Sequence, residues 1–226
     1  MNMQAMLSYL SDLESHNDRD WFHANKARYA EACQAFEALV EALELELHRV
    51  DDAIPLAPPK ELTFKLMRDT RFSKDKSPYN PSFRAHIGPK GKLPIPVGYY
   101  LMLRPGGRSF LGGGLFADMF KDATAMVRDY ISLHGREWEA VVADPAFARR
   151  FTVAGSTLKK VPQGYDPSHP QAEYLKYKSW YLEVPVADEQ LLSGEFVDYA
   201  VEVLSGMRPF NRCLNRALAG FEMPTR

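Results

Sequence analysis

Between residues 65 and 92 the chain carries Lys65, Arg68, Arg71, Lys74, Lys76, Arg84, Lys90 and Lys92 against only Asp69 and Asp75. Eight cations and two anions leave this stretch at +6, so in a chain of formal charge −1 the other residues sum to −7. An arginine fork matches phosphate or carboxylate oxygens in pairs, and lysine adds a point charge. A cluster of this kind is chemistry for holding an anion. The competing reading is a solvated loop in which Arg68, Asp69 and Arg71, and Lys74, Asp75 and Lys76, neutralise one another.

Just downstream, Phe83, Ala85 and Ile87 alternate with Ser82, Arg84 and His86, which puts Arg84 and His86 on one face of a strand. On a returning strand Tyr100, Met102 and Arg104 share one face, and Tyr99, Leu101 and Leu103 the other. A face with Arg84, His86, Tyr100 and Arg104 either meets water or floors a polar pocket. Beside arginines His86 is expected to stay neutral and available as a base. The expected anion-binding set is Arg68, Arg71, Lys74, Lys76 and Arg84, with His86 or Asp69 as the acid/base group. Asn25 and Lys26, helical neighbours of Tyr29, join the ligand-binding set. Packing alone also accounts for Trp21 and Tyr29, with Asn25 hydrogen-bonded beside them. A second basic group, Lys159, Lys160, Lys176 and Lys178, is interleaved with Tyr165 and Tyr177. It suits stacking on bases, or lysines lying over a small apolar face.

Other chemistries are poorly supported. Ser73, Lys74, Asp75 and Lys76 fit S-x-x-K without the partner motifs of a β-lactamase. Gly112, Gly113 and Gly114 fit no phosphate-binding fingerprint, and the six histidines show no H-E-x-x-H spacing. Asp69 and Asp75 among so many cations are ion-pair partners before they are magnesium ligands. No metal or cofactor is expected. A chain this close to neutral is not basic overall, unlike a non-specific nucleic-acid coat. The longest charge-free apolar run, residues 93–103, holds two prolines and is too short to span a bilayer as a helix. The N-terminus lacks the pattern of a signal peptide, so a cytoplasmic protein with no membrane partner is expected. Cys33 and Cys213, each on an amphipathic stripe, are expected to be free thiols.

The elements that must position these residues follow from periodicity. Residues 4–14 form a helix with Leu7, Leu10 and Leu13 inside. After a cap at Asn17 or Asp18, one long helix is expected over 20–50, with Phe36, Val40, Leu43 and Leu47 in its stripe. From Leu62 the period becomes two, predicting a strand over 62–67, a hairpin over 82–104, and a further strand over 109–116. The expected sheet over 62–116 is antiparallel, with the hairpin at its centre. A helix follows, capped by Asp118, with Met119, Met126, Tyr130 and Leu133 inside. Shorter helices over 136–142 and from Pro145 come next. Strand and loop cover 152–168, a helical turn ends near Tyr177, and a strand covers 180–184. Two helices over 188–219 meet near Gly206. Hydrophobic residues at 46% and charged at 25% are values of a folded domain. The fold class is therefore α+β: a single domain over 1–226, an antiparallel sheet packed with N-terminal and C-terminal helices.

Several of these residues recur as a set. Asn17, Trp21, Phe22, Asn25, Lys26 and Tyr29, followed by Arg68, Asp69, residues 71–76, Pro78 and Tyr79, resemble the family catalogued as domain of unknown function 2461. Gly98, Tyr99, Tyr100, the three glycines at 112–114, and Leu158, Lys159, Pro162, Gly164, Tyr165, His169, Pro170, Leu175, Lys176 and Lys178 extend the resemblance over about residues 5–220. Asn80 departs from it, standing where the family usually has a lysine, and Asp18 replaces the second residue of an asparagine pair. The resemblance implies a single globular domain and supplies no reaction. It strengthens the anion-site reading, because packing does not call for so many Lys and Arg.

Three readings remain. The first is a protein, an enzyme among the options, that binds an anionic small molecule or phosphorylated ligand. The second is a nucleic-acid or protein interaction module. The third is an arginine–aspartate network with no ligand.

Overall fold

The computed structural model describes residues 1–116 and 119–224. Helix α1 (Met3–Ser15) starts at Asn2, whose side chain accepts from the Ala5 N–H at 3.0 Å, a standard N-terminal cap. It buries Met6, Leu7, Tyr9, Leu10 and Leu13. The expected long helix is two helices, α2 (Arg19–Ala24) and α3 (Lys26–Val50). Asn25 separates them at φ −109° and ψ 22°, and its side-chain Nδ2 donates back to the Trp21 carbonyl at 2.9 Å. Asparagine offers the backbone this alternative to helix, and the apolar stripe runs on across the break. Asp18, not Asn17, caps α2, accepting from the Trp21 N–H at 2.8 Å.

The strand expected over 62–67 does not form. Pro59 opens a short helix α4 (Pro59–Leu62), a favoured first position for proline. Beyond it the extended chain divides its hydrogen bonds between two partners. Phe64 N–H donates to Arg84 O at 2.9 Å, whereas Arg68 N–H donates to Pro78 O at 2.9 Å and Asn80 N–H to Leu66 O at 2.7 Å. Only isolated bridges result, Thr63 with Ala85 and Met67 with Tyr79.

The sheet is an antiparallel meander of β1 (Phe83–Ile87), β2 (Tyr99–Leu103), β3 (Ser109–Leu115) and β4 (Trp180–Val186), in that spatial order. The hairpin therefore lies at one edge, not at the centre, because residues 62–67 add only an isolated bridge beside β1 while β4 returns from the C-terminal half to pair with β3. Register aligns His86, Tyr100, Gly112 and Glu183 across all four strands.

Among the described residues seven further helices follow: α5 (Lys121–Leu133), α6 (Gly135–Val142), α7 (Pro145–Arg150), α8 (Ala172–Leu175), α9 (Asp188–Leu192), α10 (Phe196–Gly206) and α11 (Arg208–Ala217). The 188–219 segment thus holds three helices instead of two, since Ser193 turns extended at φ −68° and ψ 146° and stops α9. Residues 152–168 make single bridges at Ala154 and Thr157 and no strand. Helix α5 buries Ala123, Thr124, Val127 and Ile131, while Met119 and Leu133 are exposed. The expected stripe was one helical step out of phase; the expected cap Asp118 lies outside the described residues.

Helices α3, α10 and α11 contact one sheet face, where Phe83, Ala85, Ile87, Tyr99, Leu101, Leu103 and Leu111 are buried. Phe36 of α3 stacks on Phe83 at 5.1 Å, and a Cβ at Gly113 would lie 3.1 Å from Asn211 of α11 and from Met207 at the α10–α11 junction. Burial of each leucine, isoleucine or phenylalanine among them contributes about 1.5–3 kcal/mol. The architecture is a single-domain α+β fold. Cys33 and Cys213 are both free. Among the described residues no helix is long and apolar enough to cross a membrane.

Candidate functional site: a basic groove beside helix α2

The loop 67–79 and the start of α2 are joined by a paired amide contact. Asn17 Nδ2 donates to the Tyr79 carbonyl at 2.9 Å, and the Tyr79 N–H donates to Asn17 Oδ1 at 3.1 Å. Phe22 stacks on the Tyr79 ring with centroids 4.2 Å apart. Between these walls lies a groove of about 540 Å³. Its lining includes Arg19, Phe22, His23, Arg68, Lys76 and Tyr79. Asp18 supplies the one carboxylate of the lining, and that group is engaged in capping α2.

The loop itself is internally braced. Arg68 forms an ion pair with Asp75 and donates to Ser77 O at 3.3 Å. Ser77 returns two bonds to Asp75, from its N–H at 2.9 Å and its hydroxyl at 2.6 Å. Those Ser77 bonds, then the Arg68 guanidinium, hold the Asp75 carboxyl well below the usual carboxylate range. Lys76 Nζ donates to Thr70 O at 3.0 Å, which tethers the ammonium group while leaving two of its three N–H groups for other partners. Arg71 turns outward, its side chain 77% exposed, and its fork closes on Asp69 with contacts of 2.6 to 3.1 Å. The same bonds lower the Asp69 pKa. Lys74 is exposed, with no side-chain partner among the described residues.

The residues expected to act together fall into separate places. Arg68 and Lys76 line the groove; Arg71, Asp69 and Lys74 are outside its lining. Arg84 and His86 lie on the sheet face turned away from the helices. Arg84 donates to Lys65 O at 3.1 Å and sits 5.6 Å from the Phe64 ring centroid. His86 is only 6% exposed, with Nδ1 2.9 Å from Gly91 O. Burial, not neighbouring arginines, lowers its pKa, against a smaller opposing effect of the Gly91 bond. Arg104 leaves that face altogether to pair with Glu14 of α1. Asn25 is used as the break between α2 and α3, and Lys26 is exposed at the start of α3. In the second basic group both aromatics have protein partners: Tyr177 meets Trp180 at 6.5 Å, and the Tyr165 hydroxyl donates to Asp129 at 2.8 Å.

Sequence reasoning missed Arg19 and His23 as groove residues. Their signal was available, since they are four apart on one helix and lie between Asn17 and Asn25. A family model described as "Conserved hypothetical protein (DUF2461)" matches residues 5–212. No curated protein and no solved structure matches the chain.

Proposed function

We propose, from the premise that this chain belongs to the DUF2461 family of conserved hypothetical proteins, that it binds a phosphorylated or similarly anionic ligand in the groove beside α2. The observation that carries this reading is the lining itself: Arg19, Arg68 and Lys76 converge from two segments, with one carboxylate already engaged. Arg68 is oriented before any ligand arrives, because Asp75 and the Ser77 carbonyl fix its fork. Pre-orientation of this kind lowers the ordering cost of binding. Neither His86 nor Asp69 lines the groove, so the reading goes forward as binding, in the cytoplasm, with no acid or base assigned.

Cations brought together in the free protein repel, and a ligand that relieves the repulsion stabilises the fold by linkage. At a phosphate concentration about a hundredfold over Kd, the gain is about 2.7 kcal/mol. For a domain of this size that is a rise in Tm of about 5–10 °C. Phosphate should raise Tm more than chloride at equal ionic strength. Lys76→Ala and Arg19→Ala should each shrink the difference, and Arg71→Ala, outside the groove, should preserve it. Equal effects of phosphate and chloride on the wild type would sink the proposal.

One specific observation favours the network reading instead: Arg68 with Asp75, and Arg71 with Asp69, are already paired. On that reading the loop is a self-contained brace, and Lys76→Ala leaves the anion response untouched.

A further inference from the structure

The sheet face opposite the helices carries half-buried rings. Tyr100 lies 5.7 Å from Phe110, 5.5 Å from Phe116 and 6.3 Å from Phe64, centroid to centroid. Gly112 sits beside Tyr100 in register, and a Cβ there would come within 3.0 Å of both Phe116 and the Leu182 carbonyl. The missing side chain lets the rings close around bare sheet. They enclose a cavity of about 220 Å³, lined also by His86 and Lys92.

Size and chemistry limit what fits. An apolar cavity of about 150 Å³ is enough for benzene, so this one suits a single ring with one or two substituents. Two polar side chains of the lining besides the Tyr100 hydroxyl face it, His86 and Lys92. The Gly91 carbonyl can only accept, so His86 Nδ1 carries the proton. With burial keeping the imidazole neutral, Nε2 is an acceptor, and no described residue donates to it. Lys92 stands exposed at the rim, its Nζ held only by Thr63 O at a long 3.4 Å. Arg84 lies outside the lining, against Phe64 and bonded to the Lys65 carbonyl, and leaves Lys92 as the cation of the site. The rings ask for a flat apolar body, Lys92 for a negative group, and His86 for a donor.

We propose that this pocket binds a planar, single-ring aromatic carboxylate bearing a hydroxyl group. The site is separate from the basic groove and stands or falls independently of it. The carboxylate pairs with Lys92, the ring packs among Tyr100, Phe110 and Phe116, and the hydroxyl donates to His86.

Calorimetric titration of the full chain with 4-hydroxybenzoate, benzoate and cyclohexanecarboxylate tests this. Saturable one-to-one binding of 4-hydroxybenzoate is expected, about fivefold weaker for benzoate, which lacks one hydrogen bond. Cyclohexanecarboxylate, with the charge but not the flat ring, should bind weakest. Lys92→Ala should weaken 4-hydroxybenzoate about tenfold through loss of a charge-assisted contact, and Phe116→Leu should weaken it as well. Lys76→Ala should leave it unchanged. Because Lys92 is exposed, its variant stays folded and keeps the test open if Phe116→Leu does not. Absence of saturation into the millimolar range, equal affinity for all three acids, or indifference to Lys92→Ala would overturn the proposal.

Discussion

Asn17 and Tyr79, 62 positions apart, are joined by two hydrogen bonds in which one side-chain amide satisfies both backbone groups of one residue. An amide is the side-chain group that can donate and accept side by side in this way. The contact does for the loop what a ladder would do for a strand, at a point where only an isolated bridge forms. It fixes the two walls of the basic groove without help from a ligand. The chain repeats the device elsewhere: Asn215 accepts from the Val97 N–H at 2.7 Å and donates to the Val97 carbonyl at 2.9 Å.

Asn17→Ala should therefore loosen the groove. Two part-buried backbone groups lose their partners, a cost of about 1–3 kcal/mol. Denaturant midpoints should fall accordingly, and limited proteolysis should cut first within residues 70–77. Unchanged protease resistance would mean that Phe22 stacking and the loop's internal bonds hold the wall unaided.

Much of this arrangement was legible in the sequence, and the failures have specific causes. Strict alternation marked β1 and β2, and it placed Arg84, His86 and Tyr100 on one face. The alternation of Leu62, Phe64 and Leu66 looked the same, yet that segment splits its hydrogen bonds between β1 and residues 78–80. Side-chain period reports which way residues point, not where backbone bonds go. The break at Asn25 was hidden because the apolar stripe continues across it. Cations near in sequence were expected to converge, but alternation sent Arg84 to the sheet while Arg71 closed on Asp69, two residues away. Lys92 comes from the connection between β1 and β2 and carries no periodic signal.

The junction of α1 with the β2–β3 turn should be sensitive to acid. Hydrogen bonds from Arg108 and then Arg104 hold the Glu14 carboxyl down to about 2, against an ordinary 4.5. A depressed folded-state pKa means that the folded state binds fewer protons. The stabilisation is then complete above about 4.5 and drains away as pH falls toward 2. Glu14→Gln should lower Tm at pH 7 by about 2–4 °C, the scale of a partly exposed ion pair. The gap to the wild type should narrow across that acid window; a gap independent of pH would show that charge at Glu14 is not what matters.

The two thiols should differ in reactivity. Cys213 is fully buried and Cys33 only partly, and burial raises both thiol pKa values, leaving little thiolate at pH 7. Titration with a thiol reagent should modify Cys33 slowly in the native protein and Cys213 only after denaturation. Rapid native labelling of Cys213 would contradict its place in the core.

The most direct measurement of the central claim is anomalous diffraction from crystals soaked in selenate, a tetrahedral dianion that stands in for phosphate. The account predicts a selenium peak in the groove between Arg19, Arg68 and Lys76, absent in Lys76→Ala crystals. Selenium only at exposed lysines such as Lys74, or a groove left empty at saturating selenate, would contradict it.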